Sequence, residues 1–65
     1  SKMGVRTTQH AIARYSRHLT LLAAAETMRK AMLGDPLDVA ERHVNAVLED
    51  MANEYVRRAY KLLPQ

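Results

Sequence analysis

The chain has 65 residues, a net charge of +3 and no cysteine. A chain of that length holds a single domain and buries too little surface to be comfortably stable alone. Without disulfides or thiolate metal sites, its stability must come from well-formed helix packing or from a second subunit. No apolar run approaches the roughly 18 residues a membrane span needs and no signal peptide is evident, so a cytoplasmic setting is expected, in keeping with the lack of cysteine.

The charge is unevenly spread. Residues 1–34 carry six bases and one acid, Glu26, whereas residues 35–65 carry four bases and six acids, so the halves stand at +5 and −2. Such asymmetry points to an anionic partner for the first half.

Residues 1–6 are expected to form a flexible tail, and residues 7–65 a single helical domain. From about 8 to 33 the chain is rich in Ala, Leu, Met and Arg, with no internal glycine or proline. That composition predicts a helix, capped by Thr7 or Thr8. Its apolar positions change side along the way. Ile12, Tyr15, Leu19 and Leu22 share one face; Leu21, Ala24, Ala25, Met28 and Met32 lie nearly opposite. Either the helix breaks near residues 16–20, or it runs straight and is covered on several sides; the absence of a breaker favours the straight helix.

Gly34-Asp35-Pro36 reads as a stop followed by a start. Glycine suits the left-handed residue that closes a helix, aspartate the N-cap of the next, and proline its first turn. Beyond it, Leu37, Ala40, Val44, Val47, Leu48, Met51, Tyr55, Ala59 and Leu62 recur at three- and four-residue spacing, which predicts a helix over 36–62 with one apolar stripe, roughly 40 Å long. Ala52 and Leu63 flank the stripe. The fold class is therefore all-α: a hairpin of two long helices. Because a lone hairpin would leave much of Leu21–Leu33 uncovered, two hairpins are expected to pair into a dimeric four-helix bundle.

The residues that suggest a function are basic. His10, Arg14, Arg17 and His18 fall on one broad side of the first helix, with Arg6 before them. Other bases have acids four residues away (Glu26 with Lys30, Asp38 with Arg42, Glu54 with Arg58), whereas these have none. Cations near the start of a helix also oppose its dipole. A patch so placed suits an anion such as phosphate, which the guanidinium fork recognises well. Tyr15, the aromatic nearest the patch, is expected to face the core, so base stacking has little support. A solvated helix face is the plainer reading of the same residues.

Catalysis and metal binding find no pattern to rest on. His10, His18 and His43 lack the three- or four-residue spacing of a helical metal pair, no glycine-rich phosphate loop is present, and the carboxylates are interleaved with bases. No cofactor is implied. The expectation is a non-enzymatic regulatory binding protein, a homodimer that docks Arg6, His10, Arg14, Arg17 and His18 on nucleic acid or on a nucleic-acid-processing complex such as a transcription assembly. The alternative is a small inhibitor or adaptor, of the kind viral and mobile elements carry, that meets an acidic surface on a host enzyme without touching nucleic acid.

Overall fold

The computed structural model describes the backbone of residues 2–63 and the side chains of residues 8–63. It holds two helices, α1 (Lys2–Lys30) and α2 (Val39–Lys61), packed antiparallel as a hairpin. The all-α hairpin expected from the sequence is present.

Helix α1 is unbroken through residues 16–20. The hydroxyls that might have disturbed it are absorbed by its own backbone: Thr20 Oγ1 donates to the Ser16 carbonyl at 2.9 Å, and Thr27 Oγ1 to the Ala23 carbonyl at 3.0 Å. The helix tightens as it ends. Ala31 N–H is shared between the Thr27 and Met28 carbonyls, and Met32 N–H donates to the Arg29 carbonyl at 3.2 Å.

The turn lies where the sequence places it, but its parts have different roles. Helix α1 stops at Lys30, four residues before Gly34, and no glycine among the described residues has a positive φ. Helix α2 begins not behind Asp35 but behind Asp38, which is extended (φ −152°, ψ −177°) and accepts from Glu41 N–H at 2.9 Å. Glu41 reaches back to accept from Leu37 N–H at 2.8 Å. The reason is side-chain length. Asp38-x-x-Glu41 can satisfy donors in both directions, whereas Asp35-x-x-Asp38 ends in an acid one methylene too short. Asn45 then anchors the connection, accepting from Leu33 N–H at 2.7 Å and donating to the Leu33 carbonyl at 2.8 Å. One amide thus occupies both polar groups of one loop residue.

The seam between the helices is built on small residues. Ala25, Ala52 and Ala59 are buried, letting the backbones approach closely, with Leu21, Leu22, Met28, Leu48, Val56 and Leu62 half-buried beside them. The apolar stripe read along α2 is only partly the seam. Leu48, Tyr55, Ala59 and Leu62 contribute to it, but Ala52, from the flank, is buried as fully as Ala59, while Val44, Val47 and Met51 remain 50%, 43% and 40% exposed. The stripe is wider than one partner helix covers, and small Ala52 wins the contact line because it costs the least separation.

The hairpin is a rod. Its extents are 60 × 17 × 12 Å and its radius of gyration is 16.7 Å, against about 11 Å for a compact domain of this length. It exposes 5395 Å², where a compact monomer of this mass exposes about 4,200 Å². The three buried alanines supply only roughly 2–3 kcal/mol of apolar burial.

Candidate binding interface

The open end of the hairpin, where the middle of α1 meets the last turns of α2, gathers the basic side chains. His10, Arg14 and Arg17 are exposed along one side of α1. Arg6 lies outside the residues whose side chains are described. The antiparallel pairing, with His18 against Ala59, puts Arg58 and Lys61 of α2 beside them. An open groove of about 480 Å³ runs between the helices, lined by Arg17, Thr20, Leu21, Arg58, Lys61 and Leu62. It adjoins a second depression lined by His10, Ala13, Arg14, Arg17 and Leu62. Both have apolar floors and cationic rims, and no carboxylate lines either one.

The ion pairs among the described residues lie elsewhere. Lys30 pairs with Glu26 at 3.1 Å, as the spacing suggested, and Glu54 pairs with Arg57 rather than with Arg58. Arg58 instead places its guanidinium 5.9 Å from the centre of the Tyr55 ring, a geometry that holds the cation without neutralising it. Asp38 is engaged as the α2 cap and forms no ion pair with Arg42 among the described residues. Arg14 and Arg17 have no ion pair among the described residues.

Because α1 begins at Lys2, Arg14 and Arg17 sit well inside the helix, beyond the reach of its N-terminal dipole. The carboxyl end of α2 lies close by and favours cations there.

His18 is placed differently from its neighbours in sequence. It is 6% exposed, turned into the seam, and its Nδ1–H donates to the Ala59 carbonyl at 2.8 Å. That carbonyl belongs to the last turn of α2 and also accepts from Leu62 N–H at 3.2 Å, so His18 brings it a second donor from the other helix and ties the two together. The ring is flanked by Tyr15, stacked at 6.0 Å, and Tyr60, edge-on at 5.3 Å. Tyr15 does not face the core: it is 56% exposed, and with Ile12, Leu19 and Tyr60 it forms an apolar patch on the side of the open end away from the groove.

Arg58 and Lys61 are the groove residues that charge patterning along the helix hides, because a basic C-terminal turn already has a dipole explanation. The hairpin itself was the available signal, since folding back at residues 31–38 brings the end of α2 against the middle of α1. Among the described residues no cluster of histidine and carboxylate side chains is arranged to hold a metal ion, and no helix is long and apolar enough to cross a membrane. Comparison with protein-family models, with curated proteins and with solved structures gives no match for this chain.

Proposed function

We propose that this chain is a small, non-catalytic regulatory binding protein that pairs with a second copy and docks its basic end on the phosphates of a nucleic acid, alone or within a nucleic-acid-processing complex. The observation that carries the reading is the convergence of Arg14, Arg17, Arg58 and Lys61 around grooves lined by no carboxylate. Charge unmatched within the subunit favours a polyanion outside it, and forked guanidinium groups suit phosphate. No feature of the site points to sequence reading, and phosphate contact is all that the cluster of cations supports.

The test is binding to duplex DNA and to RNA at two salt concentrations. Four phosphate contacts on duplex DNA correspond to a fall in affinity of roughly a hundredfold between 50 and 200 mM salt. Arg14→Glu with Arg17→Glu should abolish binding with helicity unchanged. No binding at low salt rejects the proposal.

A second reading draws on the patch of Ile12, Tyr15, Leu19 and Tyr60, all large, apolar or aromatic, and exposed beside the basic end. Aromatic anchors flanked by cations suit an acidic protein surface. Under that reading Tyr15→Ala and Tyr60→Ala, rather than salt, weaken partner capture, and nucleic acid does not compete.

A further inference from the structure

We infer that the second copy packs across the face formed by Met28 and Leu21 of α1 and Val44, Val47 and Met51 of α2, running in the opposite direction, with its Asp35–Val39 loop seated at the basic-rimmed groove. The inference rests on the pairing proposed above and specifies its surface and its direction.

Area gives the first argument. The rod exposes 5395 Å², about 1,200 Å² more than a compact monomer of its mass. A standard stable interface hides roughly 800 Å² per partner, so pairing along one flank removes most of the excess. The flank in question is the side of the hairpin on which the groove lies. At about 100° per residue, Ala40, Val44, Val47, Met51 and Tyr55 line that side of α2, and Leu21, Ala24 and Met28 line that side of α1. No charged residue interrupts either set until Arg17 and Arg58.

Charge gives the direction. Two hairpins packed with their loops at the same end would bring Arg14, Arg17, Arg58 and Lys61 together with their own copies, eight cations without an intervening acid. Packed in opposite directions, each basic end lies beside the other copy's loop. A twofold axis through the middle of the apolar band, near residue 50 of α2, carries the loop to the level of Lys61 and Leu62. That loop is complementary to what it meets. Leu37 is 82% exposed and Val39 71% exposed, apolar side chains for an apolar floor of Leu21 and Leu62; Asp35 and Asp38 flank them, facing a rim of Arg17, Arg58 and Lys61. Two carboxylates do not cancel four cations, so the end stays positive for the docking proposed above.

Sedimentation of the intact chain across the micromolar range, with and without substitutions, tests the inference. The wild type is expected to sediment as a dimer. Leu37→Ser and Asp35→Lys are each expected to weaken the dimer at least tenfold with the helix signal unchanged, because both side chains project from the loop and neither holds a helix. Combining Asp35→Lys with Lys61→Glu is expected to restore association, since the charges are exchanged across the interface. A spin label on Ser16→Cys, on the outward side of α1, is expected to report a separation of roughly 33 Å or more along the rod; a separation under about 20 Å would mean the same-direction packing and overturn the inference. A wild type that stays monomeric at a hundred micromolar also overturns it, as does a dimer indifferent to Leu37→Ser and Asp35→Lys. Oligonucleotide titration is read separately: a dimer that ignores nucleic acid leaves this inference standing and removes only the docking proposal.

Discussion

Replacing His18 separates a structural residue from a surface one. His18→Ala removes three things at once: the 2.8 Å hydrogen bond to the Ala59 carbonyl, the ring contacts with Tyr15 and Tyr60, and the filling of the seam at the open end. The hydrogen bond is worth about 1 kcal/mol net, and the aromatic contacts contribute about 0.5–1.5 kcal/mol beyond burial. The vacated volume adds a further penalty. The sum is about 2–4 kcal/mol. At 65 residues, each kcal/mol shifts the midpoint by about 7 °C, so a fall of roughly 15–25 °C is expected in thermal unfolding followed by circular dichroism. All variants must be compared at one protein concentration, because association adds to apparent stability. His18→Phe keeps a ring and loses the donor, and should recover about half of the loss. The reasoning fails if His18→Ala unfolds within about 3 °C of the parent, or if it weakens nucleic-acid binding at unchanged stability, since either result would return His18 to the surface.

Three further outcomes follow from the turn and the seam. At protein concentrations low enough to keep the chain monomeric, Asp38→Ala should destabilise by about 1 kcal/mol through loss of the α2 cap, while Asp35→Ala should change unfolding by less than about 0.5 kcal/mol; equal effects in urea unfolding there would contradict the cap assignment. Asn45→Ala frees both polar groups of Leu33 and should cost about 1 kcal/mol, with faster amide exchange at Leu33 as the direct readout; unchanged exchange there would exclude the anchor. Ala52→Leu inserts bulk at a fully buried position of the seam and should cost about 1–3 kcal/mol, whereas Ala46→Leu, on an exposed side of α2, should be neutral in the same melt.

The sequence shows the two helices, the place of the turn and the cationic bias of the first half, because each depends on local composition. What it conceals depends on which of several apolar rows wins the contact. Val44, Val47 and Met51 look as core-like as Leu48 and Ala59, and only the pairing of two backbones selects the alanine line. Asp35 and Asp38 are both plausible caps by residue type; the length of Glu41, three residues after Asp38, decides between them. His18 shares a helical side with Arg14 and Arg17 to within the tolerance of any wheel, and its burial follows from Ala59 lying directly opposite. Arg58 joins the groove because Glu54 takes Arg57 instead, a choice between three- and four-residue spacing that charge patterning does not make.

The two helices are unequal, 29 residues against 23, and the shorter one runs out beside the middle of the longer. Residues 8–12 are therefore exposed on every side, a single-helix spur beyond the two-helix body. A lone helix is about 10–12 Å across with its side chains, and the major groove of B-form DNA is about 12 Å wide. The body, 17 Å broad between Cα atoms alone, is too wide to follow. Any entry into a groove would be made by the spur, with Arg14 and Arg17 left together at its base, on one side, to meet the phosphate ridge there.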